Sequence, residues 1–169
     1  MSNLMPLTSR IQDFASREIT FGEAGKNIVG KYGREAGHRI MAELVAGANE
    51  IRNEIILSMR NTPKSGRLYS RGYSKKGKPV MHRASSPGNP PAVDTGALLR
   101  SIIADARFTE VEVGSIITNP PYPIFLEKGS AKHRLEARPW LEPAFKKHEP
   151  GIRDNVRRVL NDIAEEMHR

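Results

Sequence analysis

Between residues 35 and 61 the apolar positions Ile40, Met41, Leu44, Val45, Ala48, Ile51, Ile55, Ile56 and Met59 recur at intervals of three and four. That period puts them on one face of a long amphipathic helix, and such a face must be buried against a second layer of structure. Thr62-Pro63 marks its end. Its beginning is left open by Gly30, Gly33 and Gly37, because each glycine weakens a helix interior by about 1 kcal/mol relative to alanine.

The same reasoning predicts a helix at the other end of the chain. Ile152, Val156, Val159, Ile163 and Met167 repeat at four, three, four and four. Pro139 and Pro143 are compatible with a helix start, whereas Pro150 is expected to interrupt or kink the helix at that point. Between the two helices, 101–108 and 110–117 read as antiparallel strands, with Val111 and Val113 alternating with acidic residues until Asn119-Pro120-Pro121 stops the pattern. A short helix over 123–128 ends at Gly129, and Asp94 is placed to cap a turn carrying Leu98, Leu99 and Ile102. In residues 1–30 the periodicity is weak. Ile11, Phe14 and Ile19 support one or two turns, and the segment is expected to be an arm. The sum is α+β: one domain over 31–169 with a long helix near its start, a central antiparallel sheet, and a C-terminal amphipathic helix packed on that sheet.

A basic hairpin is expected to project from this scaffold. No Asp or Glu occurs between Ile55 and Val93, where Arg60, Lys64, Arg67, Arg71, Lys75, Lys76, Lys78 and Arg83 supply eight positive charges. The net charge of the whole chain is +8, so the remaining segments balance. Residues 67–73 and 79–83 read as strands around a turn at 74–78, followed by a proline-rich connector, making 64–93 one projecting loop. A charge excess confined to one device attracts phosphates, an acidic protein surface or a membrane surface, or is merely solvated. Tyr69 and Tyr73 among the basic residues suit either base stacking or packing of the hairpin on a neighbouring surface.

Other chemistry finds little support. The chain has no cysteine, which removes disulfides, thiolate metal sites and a thiol nucleophile. His38, His82, His133, His148 and His168 show no zinc-ligand spacing, and no phosphate-binding glycine loop occurs. No basic-then-apolar leader and no run of roughly 20 apolar residues is present, so a soluble protein without a membrane partner is expected. Asp94-Thr95-Gly96 matches the tripeptide of aspartic proteases, but it follows Pro90-Pro91-Ala92 rather than a buried strand, and a single copy would require a homodimer. No enzyme activity and no cofactor are expected. Aromatics are only 6% of the residues, which suggests long surface segments that gain order from partners.

Three blocks carry a resemblance. Ser85-Ser86-Pro87-Gly88-Asn89-Pro90-Pro91-Ala92-Val93-Asp94-Thr95-Gly96 with Leu98-Leu99-Arg100-Ser101-Ile102, then Tyr122-Pro123-Ile124-Phe125-Leu126-Glu127-Lys128-Gly129-Ser130, then Ala137-Arg138-Pro139-Trp140-Leu141-Glu142-Pro143-Ala144-Phe145 come one after another in an order that resembles the small tail-component, or tail-completion, proteins of lambda-like siphophages. The likeness covers roughly residues 40–160. Pro123, Lys128 and Trp140 stand where that family more often has alanine, a bulky apolar residue and phenylalanine.

The resemblance implies a structural virion protein without catalytic residues: a homo-oligomeric, hexameric ring at the neck or upper tail, assembled in the host cytoplasm. Its implied partners are neck, portal-side and tail-tube proteins and, non-specifically, phage DNA. Arg67, Arg71, Lys75, Lys76, Lys78 and Arg83 are then candidates for contact with the DNA channel or a partner. Tyr122, Phe125, Glu127, Arg138, Trp140 and Phe145 are candidates for assembly or packing, with Trp140, Leu141 and Phe145 pinning the last helix and Glu127 pairing with Arg138 within or between subunits. The competing readings are a nucleic-acid-binding module that uses hairpin 64–83 and an aspartic protease that uses Asp94.

Overall fold

The computed structural model describes residues 8–11, 16–20, 22–107 and 110–167, with side chains from residue 30 onward except 32. The described elements are β1 (Thr8–Ile11), β2 (Ser16–Thr20), α1 (Gly22–Asn61), β3 (Leu68–Tyr73), β4 (Pro79–Arg83), α2 (Ala97–Ser101), β5 (Ile102–Arg107), β6 (Glu110–Ser115), α3 (Tyr122–Lys128) and α4 (Glu142–Met167). The fold is α+β, with an antiparallel four-stranded sheet in the order β1-β2-β6-β5 and a separate two-stranded sheet β3-β4.

The apolar period at 40–59 becomes the buried side of α1. Ile40, Leu44, Ala48, Ile51, Ile55 and Met59 are each 2% exposed or less, and Met41 and Val45 pack at the margin. The helix begins earlier than the glycines suggested, and Gly33 (φ 81°, ψ 178°) divides it into two helical stretches, a conformation open to glycine because it has no Cβ. At its far end Thr62 Oγ1 donates to the Ser58 carbonyl (2.7 Å), one of the last four carbonyls that lack a partner within the helix, and Ser58 Oγ adds a bond to the Ile55 carbonyl (2.8 Å).

On the sheet, the register Ile102↔Ser115, Ala104↔Val113 and Ala106↔Val111 puts these residues on the face toward α1, with Ile102, Val111 and Val113 fully buried. Arg52 Nε donates to the Ile102 carbonyl (3.0 Å) and ties α1 to β5. The opposite face presents Ile103, Asp105, Arg107, Glu110 and Glu112. Strands β1 and β2 come from the segment expected as an arm with helical turns at Ile11 and Ile19. The backbone there is extended instead: Ile11 pairs with Arg17, and Ile19 with Val111 of β6. Phe14 lies outside the described residues. β2 has few apolar residues to announce a strand; pairing with β6 supplies what local preference does not.

The last helix completes the helical layer over the sheet. Arg39–Glu166 (2.8 Å) and Glu54–Lys147 (2.7 Å) connect α1 and α4 near opposite ends, so the helices run antiparallel. Lys147 is the main cause that holds the Glu54 carboxyl below its ordinary range, with His148 adding to it. Ile152, Val156 and Ile163 are buried and Val159 is partly buried, as the period predicts, whereas Met167 is 56% exposed because α4 outruns the core there. Pro150 neither ends nor interrupts α4. It sits on the exposed side, while Phe145 and Ile152 anchor the helix before and after it.

Where the helices cross, a Cβ built on Gly47 would lie 2.3 Å from Ile152 Cγ1 and 2.6 Å from Cδ1. Only the absence of a side chain allows this approach. Gly47→Ala is therefore expected to lower stability by about 1–2 kcal/mol, overpacking outweighing the helix propensity gained. A urea midpoint equal to or above the parent's would show that Ile152 moves aside at no cost.

Candidate functional site

Three segments, residues 85–102, 122–130 and 137–145, converge at one place. The connector after β4 is laced to the loop after α3: Gly88 N–H donates to the Ala137 carbonyl (2.9 Å), and Arg138 Nε donates to the Ser85 carbonyl (3.2 Å). Arg138 Nη1 donates to the Glu136 carbonyl (3.0 Å), and Arg138 N–H to the Leu126 carbonyl of α3 (2.6 Å). Gly66 lets the hairpin base close on the same spot, since a Cβ there would stand 2.1 Å from the Ser85 carbonyl oxygen.

Between these segments lies a cleft of about 800 Å³, bounded by the hairpin, the connector, α2 and α3. Tyr69, Tyr122 and Phe125 form apolar parts of its wall, and Arg67, His133 and Arg138 bring polar groups to it. Burial pushes both the Tyr69 and the Tyr122 phenol up from their ordinary range. Phe125 packs against His133 with ring centres 5.2 Å apart.

Glu127 and Arg138 do not pair with each other. Glu127, 6% exposed, uses Oε2 to accept the backbone N–H of Trp140 (2.7 Å) and Leu141 (2.9 Å), and Oε1 to accept that of Glu142 (3.0 Å). It is an N-terminal cap for α4 supplied by another helix, taking up donors that the first turn cannot satisfy itself. Trp140 and Phe145 are buried in the core, and the Trp140 indole N–H donates to the Pro123 carbonyl (3.2 Å). The assembly or packing candidates thus divide: Tyr122, Phe125 and Arg138 line the cleft, while Glu127, Trp140 and Phe145 hold α3, α4 and the core together.

Asp94 does not cap α2. Gly96 (φ 78°, ψ 7°) occupies the cap position without a side-chain bond, and Thr95 Oγ1 accepts the Ala97 N–H (3.3 Å). The Asp94 carboxylate turns to the hairpin: Arg71 Nη1 donates to Oδ2 (3.2 Å), and Nδ1 of buried His82 lies 3.2 Å from Oδ1. Tyr69 packs edge-on against His82. The inward alternation of β4 at His82 is the sequence signal for this cluster, but its partner lies twelve residues away across the connector. Asp94→Ala is expected to lower global stability by about 1–2 kcal/mol: the partly exposed Arg71 pair contributes little, but buried His82 Nδ1 loses the carboxylate beside it. It should also speed trypsin cleavage at Lys75 and Lys76; an unchanged cleavage rate would mean that the hairpin is held by its base alone.

The basic candidates are likewise separated. Arg67 faces the cleft, Arg71 is taken by Asp94, and Arg83 Nη1 donates to the Gly66 carbonyl (3.2 Å). Lys75, Lys76 and Lys78 stand exposed at the turn, with no carboxylate partner among the described residues. Gly77 (φ 73°) shapes that turn, which Ser74 N–H closes by donating to the Lys78 carbonyl (2.8 Å). Among the described residues no three His, Asp or Glu side chains gather as a metal site, and no helix is long and apolar enough to cross a membrane. Comparison with family models, curated proteins and solved structures finds no match to this chain.

Proposed function

We propose that this chain is a structural virion protein of a long-tailed phage, a ring-forming component of the neck or upper tail that completes the tail or joins it to the head. The observation that carries the reading is the convergence of the three blocks that resemble tail-completion proteins: residues 85–102, 122–130 and 137–145 bond to one another through Ser85, Gly88, Glu127 and Arg138. The division into a packed α+β body and an extended basic hairpin also suits a ring, in which each copy must present two different surfaces to its neighbours. No catalytic role is assigned to any residue. The Asp94 carboxylate is engaged by Arg71 and His82 on one chain rather than set to share a proton with a second aspartate.

A nucleic-acid-binding role is the second reading, favoured by the exposed lysines at the hairpin turn. It predicts duplex-DNA binding that weakens steeply with salt, because phosphate contacts release counterions. Electron microscopy of lysates from a phage with an early stop codon in this frame tests the main reading against a complemented control. Full heads accumulating apart from tails support joining or completion, and abnormal tail lengths place the protein at tail termination. Ordinary infectious particles overturn a structural role in the virion.

A further inference from the structure

Two of the described surfaces, the outward side of hairpin β3-β4 and the outer face of β5-β6, are chemically complementary. In the hairpin, Tyr69 and His82 are paired on the side toward the body, so Leu68, Ser70, Met81 and Arg83 form the outward side. Leu68 and Met81 are 47% and 49% exposed there, and Tyr73 near the turn is 78% exposed. Lys75, Lys76 and Lys78 extend this surface, and no acidic residue lies between 55 and 93 to neutralise it. A two-stranded hairpin is marginal by itself and leaves unpaired strand edges. This one carries apolar side chains outward as well as charge, which is more than phosphate binding requires.

The outer face of the β5-β6 pair has the opposite character. Asp105, Glu110 and Glu112 stand on it with Arg107 among them; Arg107 lies 3.3 Å from Asp105 and 3.7 Å from Glu112. The three carboxylates raise the Arg107 pKa, Asp105 most, as an acidic surface should. Ile103, 38% exposed, shares this face, and the alternation past Gly114 brings Ile116, 61% exposed, to the same side. β5 is also an edge strand of the sheet. An acidic surface with two isoleucines thus matches a basic surface with leucine, methionine and tyrosine.

We infer that the outward side of hairpin β3-β4 of one copy docks on the acidic outer face of β5-β6 of the next copy, Lys75, Lys76 and Lys78 meeting Asp105, Glu110 and Glu112 while Leu68, Tyr73 and Met81 cover Ile103 and Ile116. The inference rests on the proposed ring and specifies its subunit contact. The two surfaces differ, so the contact is head-to-tail; it closes into a ring if the rotation per copy allows and otherwise propagates. Charge complementarity sets orientation and encounter, and the apolar residues give the centre of the patch.

The test is sedimentation velocity on the purified full chain at low and high salt. The wild type should self-associate at low salt and weaken as salt rises, because exposed charges are screened beyond roughly 10 Å at 0.1 M. Lys75→Glu with Lys76→Glu and Lys78→Glu, at a solvent-exposed turn, should reduce the association constant at least about tenfold. Adding Asp105→Lys and Glu112→Lys to that variant should restore it. If those two reversals disturb the sheet beside Arg107, Asp105→Asn with Glu112→Gln in the wild-type hairpin should still weaken association.

A second readout uses the absence of native cysteine. Chains carrying Lys76→Cys, mixed with chains carrying Asp105→Cys, should yield a mixed dimer with a short bis-maleimide. The same experiment with Lys76→Cys and Asn161→Cys should not, Asn161 lying exposed on α4, which packs on α1 in the layer that covers the opposite face of the sheet. Oligomers that persist unchanged in the triple lysine variant, without the mixed cross-link, overturn this contact but leave the ring reading standing. The same result with loss of duplex-DNA binding identifies the hairpin as a nucleic-acid surface instead. A wild type that stays monomeric at every concentration and salt overturns both.

Discussion

Trp140→Ala is expected to destabilise the protein by about 3–5 kcal/mol, a large share of the total stability of a domain this size. Trp140 is 1% exposed and belongs to the same core as Ile55, Ile102 and Phe145. Its removal forfeits the transfer free energy of the indole and leaves a cavity that helices on both sides cannot fill without moving. It also strands the Pro123 carbonyl, which accepts the indole N–H at 3.2 Å. Trp140→Phe should cost clearly less, since most of the volume is kept and chiefly the hydrogen bond is lost. Urea denaturation followed by far-ultraviolet circular dichroism measures both; tryptophan fluorescence cannot, because Trp140 is the only tryptophan. A loss under about 1 kcal/mol for the alanine variant would mean that the surrounding layer collapses freely and that Trp140 does not organise it.

Glu127→Ala is expected to cost about 3 kcal/mol or more, although Glu127 neither lines the cleft nor pairs with Arg138. The carboxylate accepts three consecutive backbone N–H groups at 2.7, 2.9 and 3.0 Å, all at or near the start of α4. Alanine leaves those donors buried or half-buried without an acceptor. Each orphaned donor costs of order 1–3 kcal/mol, with partial relief from water where the terminus frays. Glu127→Gln keeps one acceptor oxygen but turns an N–H₂ group toward a donor, so it should fall between alanine and the wild type. Amide exchange at Trp140, Leu141 and Glu142 separates this cap from a general packing effect: those amides should lose protection well before the centre of α4. Equal protection in Glu127→Ala and the parent would falsify the cap.

The elements most legible in the sequence are those whose local pattern and tertiary role agree. The α1 face from Ile40 to Met59 is buried as its period requires, and β5 and β6 follow from alternation around Val111 and Val113. Hairpin β3-β4 lies within one residue of the strands read from the sequence, because the turn at Ser74 and Gly77 is encoded by its own residues. Strands β1 and β2 are not legible. Polar residues such as Ser16, Arg17, Glu18 and Thr20 carry no face of their own, and extended structure arises there by pairing with β6. Of the two outcomes expected at Pro150, interruption does not occur: its local cost is outweighed by the anchoring of Phe145 and Ile152.

The candidate site divides in the same way. The basic residues and the aromatic and arginine positions of the three blocks can be named from the sequence, because residue type alone makes them chemically conspicuous. Their partners cannot. Charge alone pairs Glu127 with Arg138, yet the first turn of α4 offers Glu127 three aligned donors and Arg138 finds carbonyls at Ser85 and Glu136. Position alone makes Asp94 the cap of the next turn, yet Gly96 in a left-handed conformation fills that place and the carboxylate is taken by Arg71 and His82. The sequence by itself determined the helical periods, the hairpin and the segregation of charge, since these depend on residues within a few positions of one another. Only the tertiary structure decided which strands complete the sheet, which partner each buried polar group takes, and that an acidic sheet face stands opposite in chemistry to a basic hairpin, because those outcomes depend on groups brought together from distant parts of the chain.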